Sequence, residues 1–517
     1  MPAPAVTITT TTSPPPRSLP TDTGITYLAG IFATGPTGTL VTEDDAIASL
    51  NQWIARYGGG TATNARLSYA VEYDWVETYF RNGGNKLYCS RVVGTTPVYA
   101  TLNLAGTSGT TLVATATEYG AFYNTTYKIQ VTNGSDGSHR YVKLCAGASH
   151  PSATDTVLAT SADAATRDAA VGVLTDPVLG FSVAITAGAG SGLPTVAAST
   201  VLASGADDHA TATSTQVTTA LNQFQPDLGP GQVVAPNFGG TSAVQLVLLA
   251  HAAANGRYAV CDTTDIAPSG KSTLTALAAT LQGTANGSYG KLYTPWITVA
   301  PYAVDGTDRR VPASALVCAR DADTDALFHP NRAAAGSKDS VGIARWATGV
   351  GATFSRTPLG ASDADDLDAA GVNLIIQRRG QVIVFGVKSL VTPGGAENDF
   401  LQAPNGRYRM WLVARATGIG EGEQFDNITP TSIAEFHIGL EGLLVDDYAR
   451  RIIVGDPEDD RFSTAANVDT SVSDHGPNTP ETIDAGQMNA AVAVRPAKTA
   501  EFINITITFV SQTAAIA

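Results

Sequence analysis

Apolar and polar positions follow several different rhythms along the chain, and each change of rhythm marks an element. Val6 and Ile8 alternate with Thr7 and Thr9, the pattern of a half-buried strand, and Pro14-Pro15-Pro16 follows as a polyproline-type spacer. From Gly24 the texture turns globular, with an apolar strand over Ile25 to Ala33, a turn at Gly35-Pro36-Thr37-Gly38 and a helix starting near Thr42. A second helix, about Leu67 to Phe80, stops at Gly83-Gly84, and Lys86 to Val93 reads as a strand. Between about Thr95 and Ser204, Thr, Ala, Ser, Val and Gly dominate. Stretches such as Tyr127 to Val131 and Tyr141 to Leu144 alternate there, joined by Asn133-Gly134 and Asp136-Gly137 turns, which predicts an inserted β-rich domain.

Beyond Gln216 helices and strands take turns: a helix to Asn222, an extended Gln232 to Ala235, a helix Ser242 to Asn255, a strand Arg257 to Cys261 and a helix Ser272 to Leu281. That alternation predicts a mostly parallel sheet covered by helices. After Val372 come strands Leu374 to Gln377 and Val382 to Phe385, then one long helix, about Ser432 to Arg451. In it Ser432 and Glu435 have capping-box spacing, and Ile433, Phe436, Leu440, Leu443, Leu444 and Tyr448 form the stripe expected to be buried. The last segment alternates Ile503, Ile505, Ile507 and Phe509 with Asn504, Thr506 and Thr508. The class is a multidomain mixture of α/β and α+β.

Size and charge narrow the field. The 517 residues suggest about three domains at roughly 150 residues each. Lys plus Arg number 31 against 46 Asp plus Glu, a formal charge of −15, which argues against direct binding of a nucleic-acid backbone. Cys89, Cys145, Cys261 and Cys318 lie far apart without a CxxC pair, so neither a zinc cluster nor a disulfide framework is indicated. The most apolar window, Val244 to Ala254, contains Gln245 and His251 and is too short for a membrane span. Met1-Pro2-Ala3-Pro4 lacks the basic and apolar regions of a secretory signal, so the expectation is a chain made and folded in a cytoplasm.

Candidate chemistry is thin. Ser269-Gly270-Lys271-Ser272-Thr273 follows a strand and opens a helix, as a phosphate-binding loop would, but Asp265 stands where that loop needs glycine. An ordinary helix start with a serine cap is expected instead. Asp321-Ala322-Asp323-Thr324-Asp325 has calcium-loop spacing, yet Ala326 and Arg332 occupy the glycine and closing glutamate positions, so a solvated polar turn is expected. Asp456-Pro457-Glu458-Asp459-Asp460 reads as a charged surface loop. Gly188, Gly190 and Gly192 lack a strand-to-helix setting and read as a linker. The seven histidines form no catalytic or metal-binding pattern, and no cofactor is expected.

The two terminal strands are more informative. Burying the four apolar side chains of the last one contributes roughly 6–12 kcal/mol, at about 1.5–3 kcal/mol each, less than the roughly 10–20 kcal/mol that ordering about ten residues costs. Such a strand orders only against a sheet edge, and two of them on spacers suit a chain that adds strands to copies of itself.

Several landmarks carry a family resemblance. Gly24-Ile25-Thr26-Tyr27-Leu28-Ala29-Gly30-Ile31 with Gly35-Pro36 opens the chain, and a helix ending in Arg81-Asn82-Gly83-Gly84 precedes Tyr88-Cys89-Ser90-Arg91-Val92. Gly205-Ala206-Asp207-Asp208, Tyr293-Thr294-Pro295-Trp296, Val311-Pro312-Ala313-Ser314 and Ala319-Arg320 running to His329-Pro330 lie in the middle. Arg379-Gly380-Gln381 through Phe385-Gly386 to Leu390, Asn478-Thr479-Pro480-Glu481 to Gly486, and Pro496-Ala497-Lys498 to Ile503 complete the set. Together they resemble the contractile tail sheath proteins of phages and of related bacterial injection systems. The departure is Arg407 to Phe425, where the family has an arginine-rich helix start and this chain a Gly-rich stretch.

The resemblance implies a non-enzymatic subunit with a sheath-like core, an inserted β-rich domain on the outside and extended terminal arms. The division is 1–23 for the N-terminal arm and linker, 24–94 with 205–371 for the core, 95–204 for the insertion, 372–500 for a C-terminal sheath domain and 501–517 for the C-terminal arm. It implies hexameric rings stacked around an inner tail tube, partners in the baseplate and tail terminator, and no membrane insertion. Val6, Ile8, Phe502, Ile503, Ile505, Ile507 and Phe509 would pair with neighbouring subunits, and Arg450 and Arg451 would face acidic tube groups or simply complement their helix dipole. The place of action would be a virion assembled in a host cytoplasm, or a cell-encoded injection system. The alternatives are a tail tube or capsid component, and a nucleotide-binding enzyme relying on Lys271.

Overall fold

The computed structural model describes residues 22–59, 70–146, 156–161, 163–302, 306, 309–356 and 362–501. The arm strands named above, Val6 with Ile8 and Phe502 to Phe509, lie outside the described residues.

Ile25–Gly30 has no exposed position and forms β1. Strands apolar on both sides belong in a sheet covered on both faces. After β1 come helix α1 (Leu50–Arg56), helix α2 (Ala70–Arg81) and β2 (Lys86–Arg91). Eight strands follow: β3 (Tyr99–Ala105), β4 (Thr110–Tyr119), β5 (Tyr127–Asn133), β6 (Arg140–Ala146), β7 (Val157–Thr160), β8 (Gly172–Thr175), β9 (Ser182–Ala187) and β10 (Ala197–Val201). The chain then alternates through α3 (Ser214–Leu221), β11 (Gln232–Val234), α4 (Ser242–Ala254), β12 (Tyr258–Asp262), α5 (Lys271–Gln282) and β13 (Gly290–Thr294). Three short strands and two helices come next: β14 (Ile297–Val299), β15 (Arg309–Val311), α6 (Ala313–Leu327), β16 (Gly349–Val350) and α7 (Asp363–Ala369). The remaining elements are β17 (Val372–Arg378), β18 (Gln381–Phe385), α8 (Ala403–Glu423), α9 (Pro430–Ala449), β19 (Ala466–Asp469), α10 (Pro480–Asp484) and β20 (Ala491–Val494).

The central sheet has seven strands in the order β18-β17-β13-β12-β11-β1-β2, and every pair is parallel except the β17–β18 hairpin. Arg379 (φ +52°) and Gly380 (φ +78°) close that hairpin, the paired left-handed turn whose twist suits two adjacent antiparallel strands. Tyr27, Val233, Ala259 and Leu292 bury one face against α3, α4, α5 and α7. Leu28, Val234, Val260 and Tyr293 bury the other against α1, α2 and α6. The region from β3 to β10 is built separately, as two four-stranded antiparallel sheets, β3-β4-β9-β8 and β10-β5-β6-β7, around a core of its own that includes Leu112, Ile129, Leu144 and Val183. The chain enters and leaves it through a neck in which Val98 pairs with Ala206 and Thr101 with Ala203.

Several local expectations are corrected. The first strand stops at Gly30, not Ala33, because the Ile31 N–H bonds Glu72 Oε1 at 3.0 Å instead of a ladder partner. Near Thr42 there is only a short turn over Glu43–Asp45, and the helix begins after Ser49, whose hydroxyl accepts from Gln52 N. The Lys271 helix carries no serine cap; Gly270 precedes it without a side-chain cap bond. The long C-terminal helix is capped by Thr429 with Ser432, not by Ser432 with Glu435, because Pro430 already occupies the first helical position. Within its stripe Ile433, Leu440 and Leu444 are buried, whereas Phe436, Leu443 and Tyr448 are half-buried. The Gly-rich stretch continues helix α8 without a break to Glu423.

Candidate functional site

In a sheet of this winding the order reverses between β1 and β11, and ligands of such folds bind outside the carboxyl ends of those strands. Here that position is filled by the chain's own side chains. Glu72, 1% exposed, reaches from α2 to the end of β1, and Phe32 packs edge-on against Trp53 with ring centroids 5.7 Å apart. A Cβ at Gly30 would lie 2.7 Å from the Phe32 ring and 3.1 Å from Glu72 Cγ, which explains a glycine there. Burial pushes the Glu72 carboxyl from its ordinary value of 4.5 up to about 8. Further along the same edge, Asp262 at the end of β12 accepts from Ser314 N at 2.8 Å and from Ser314 Oγ, and burial raises it to about 7. Trp75 Nε1 donates to Ser314 Oγ at 2.8 Å, and Trp296 Nε1 to the Thr263 carbonyl at 2.7 Å. Ser314 lies in the first turn of α6, so these bonds tie the end of β12 to the start of that helix.

The second concentration of charge is a correction. Asp321, Asp323 and Asp325 form no solvated turn but the last turns of α6, with the Asp321 side chain 2% and the Asp325 side chain 5% exposed. Lys291, near the start of β13, pairs with Asp321, and Arg407 from α8 donates to Asp321 Oδ1 at 3.1 Å and to Asp325 Oδ2 at 2.5 Å. Asp323 turns outward to Arg320 and Arg345. Two acids and two bases make the buried set neutral, the condition under which such charges leave water. Burial raises the Asp325 carboxyl, opposed by Arg407, and it lowers the Lys291 ammonium, opposed by Asp321. For Arg407 burial is outweighed by its two carboxylates, which hold the guanidinium above its ordinary range.

Both ends of the described chain are tied to this place. Thr23 Oγ1, in a residue 3% exposed, donates to Asp325 Oδ2 at 2.5 Å, the oxygen that Arg407 also holds. At the other end Gln402, the residue before α8, bonds Thr499 as a strand would, accepting from its N–H at 2.8 Å and donating to its carbonyl at 2.8 Å. Gln402 Nε2 also reaches Glu501 Oε1 at 2.5 Å. Just past α6, Asn331 Nδ2 bonds the carbonyls of Ile452 at 3.0 Å and Ala497 at 3.1 Å.

Strands β19 and β20 form a sheet of two, paired from Ala466–Val494 to Asp469–Ala491, and among the described residues each has one neighbour. A lone pair of strands is marginal in water without further strands or a packed face. Beside it, an apolar groove of about 800 Å³ runs between α9 and the segment after β19, lined by Ile428, Ile433, His437, Ile438, Val472 and Ile483. At the far end of α9, Arg450 Nη2 donates to the Phe328 carbonyl at 2.8 Å, and Arg451 pairs with Asp460. Arg451 is therefore brought to the acidic loop 456–460, whose Asp456 also meets Arg495 at 3.1 Å, while Arg450 turns to Phe328 and Asp446 instead. Lys271 lies on the surface between Asp363 at 2.9 Å and Asp366 at 2.6 Å, so carboxylates occupy the side that a phosphate would need. Replacing Lys271 with alanine is expected to leave the thermal midpoint within the scatter of repeat scans and assembly unchanged. A clear loss of either would reinstate it as a functional group.

The sequence reading missed Thr23, Lys291, Asp321, Asp325, Asn331, Gln402 and Arg407 as a set. The available signal was two cations in apolar settings: Lys291 inside the strand Gly290–Thr294, and Arg407 beside Tyr408 and Met410.

No family model matches the chain, and no curated protein matches it in sequence. Solved structures do. A sheath tail protein from Desulfitobacterium hafniense aligns over 90% of this chain and 93% of its own with a TM-score of 0.55 at 14% identity. A sheath tail protein from Listeria innocua aligns over 93% and 94% with a TM-score of 0.58 at 14% identity. A chain of the anti-feeding prophage baseplate in its contracted state aligns over 98% of both, with a TM-score of 0.55 at 14% identity. The chain has the fold of the sheath tail proteins, and no helix in the described residues is long and apolar enough to cross a membrane.

Proposed function

We propose that this chain is the structural, non-catalytic subunit of a contractile tail sheath. It polymerises as stacked hexameric rings around an inner tube and contracts by reorientation of whole subunits. The observation that carries the reading is the end-to-end likeness to sheath tail proteins. Two features of the chain support its finer parts. The apolar rows at Val6 to Ile8 and Ile503 to Phe509 need a sheet edge, and among the described residues β19–β20 is a sheet with two edges to offer. Each arm adds a strand to that sheet in a neighbouring copy, so the ring-to-ring mesh survives while subunits rotate. Residues 95–204 form the outer domain, and Arg450 and Arg451 meet acidic groups of the tube. Baseplate and terminator proteins close the two ends, in a phage tail or an injection apparatus.

Electron microscopy of the purified chain tests this. Long, thick-walled tubes are expected, whereas narrow smooth tubes favour a tube protein. Deleting residues 503–517 is expected to leave soluble monomers, and tube formation by that deletion rules out the arm mechanism. Charge reversal at both Arg450 and Arg451 is expected to abolish co-assembly with tube protein; unchanged co-assembly removes that contact.

A further inference from the structure

We propose that the two terminal arms are coupled to each other within one molecule, through the start of helix α8. The argument rests on where the roots are held. Thr23 is fixed by Asp325, and Asp325 by Arg407 on the second turn of α8. Thr499 and Glu501 are fixed by Gln402, at the N-terminal boundary of the same helix. Gln402 and Arg407 are five positions apart, about 7.5 Å along a helix axis. The end of α6 repeats the arrangement, with Asp325 holding the N-terminal root and Asn331 the C-terminal tether. Neither root is held by the central sheet alone, and both depend on the same placement of α8 against α6.

The coupling follows from the sharing. Ordering Thr23 orients the Asp325 carboxylate toward Arg407, and this fixes the first turns of α8 and with them the Gln402 amide. Ordering Thr499 fixes Gln402 and returns the same restraint to Arg407. Under the sheath reading, a subunit whose one arm has been taken up by a neighbour presents its other arm from a firmer root, so growth favours partly engaged subunits. The coupling itself is a property of one chain and is measured without any polymer.

Hydrogen exchange of the full-length protein at concentrations below assembly is the test. Thr23→Val removes one hydroxyl from the N-terminal root and touches nothing at the other end. It is expected to speed exchange over residues 495–501 about five-fold, the lower end of ordinary site-to-site coupling. Gln402→Ala is expected to speed exchange over residues 22–25 by the same factor, because coupling between two sites is reciprocal. Exchange in β12 stays unchanged in both. If each substitution loosens only its own end, or if exchange rises throughout the protein, the proposal is wrong. Asp325→Asn, which keeps the shape of the side chain, is a third variant expected to loosen both ends at once. Arms that prove coupled in a protein forming no tubes would leave this inference standing and remove the sheath reading, and the reverse pattern would do the opposite.

Discussion

Replacing Arg407 with methionine is expected to destabilise the core by about 3–5 kcal/mol, because it leaves Lys291 to balance Asp321 and strands the buried Asp325 carboxylate without its guanidinium. The volume is nearly conserved, so a cavity is not the cause. Uncompensated charge is. The five tryptophans, Trp53, Trp75, Trp296, Trp346 and Trp411, all lie outside residues 95–204, so tryptophan fluorescence in urea follows this part of the protein. Dilute, unassembled protein keeps polymerisation out of the reading. A second variant separates charge from packing: Arg407→Met combined with Asp325→Asn is expected to regain much of the loss, since a neutral amide replaces the stranded carboxylate while Lys291 stays paired with Asp321. A cost under about 1 kcal/mol for the single variant would mean that water reaches the set in solution.

Glu72 supplies the second large effect, and it depends on pH. Below about pH 4.5 the carboxyl is protonated in folded and unfolded chains alike; between 4.5 and about 8 it is protonated only in the folded chain. Unfolding then releases a proton, so stability falls as pH rises, by about 1.4 kcal/mol per unit, and levels off above pH 8. Glu72→Gln keeps an acceptor for the Ile31 N–H and cannot ionise. The variant is expected to match the parent near pH 4 and to exceed it by on the order of 4 kcal/mol at pH 8.5. Subtracting the two urea midpoints cancels the other titrating groups, Asp262 among them. A difference that does not change with pH would show that the carboxylate has access to water or to a cation.

What could be read from the residues depended on whether their partners were near in the chain. The β1 strand, the α4 helix and the β12 strand announce themselves by apolar runs between turn residues, and their bounds differ from the reading by only a few positions at most. The acidic run in α6 could not be read so. Its partners Lys291 and Arg407 lie 30 and 86 residues from Asp321, and spacing within the run says nothing about cations that arrive from another strand and another helix. The Gly-rich half of α8 is not legible for a related reason. Glycine lowers helix propensity by about 1 kcal/mol per residue, yet Gly439 of α9 packs against Ile419, so the paired helix sustains what local preference does not. The cap of α9 is legible locally, because Pro430 after Thr429 is a signal that the helix starts there and not at Ser432.

The neck beneath the β-rich sheets has a consequence for how such a chain changes over time. Its incoming and outgoing strands run side by side, and at Gly94 they approach so closely that a Cβ would sit 1.8 Å from the Asp208 carbonyl oxygen. Whatever is threaded between residues 94 and 208 therefore begins and ends at nearly one point. Away from the neck the β-rich sheets also touch the rest of the chain, through Glu118 to Arg56 and the Gly35 N–H and through the Tyr119 carbonyl to Arg91, so exchanges of size, outline or surface chemistry that spare those contacts leave the register of the seven-stranded sheet intact.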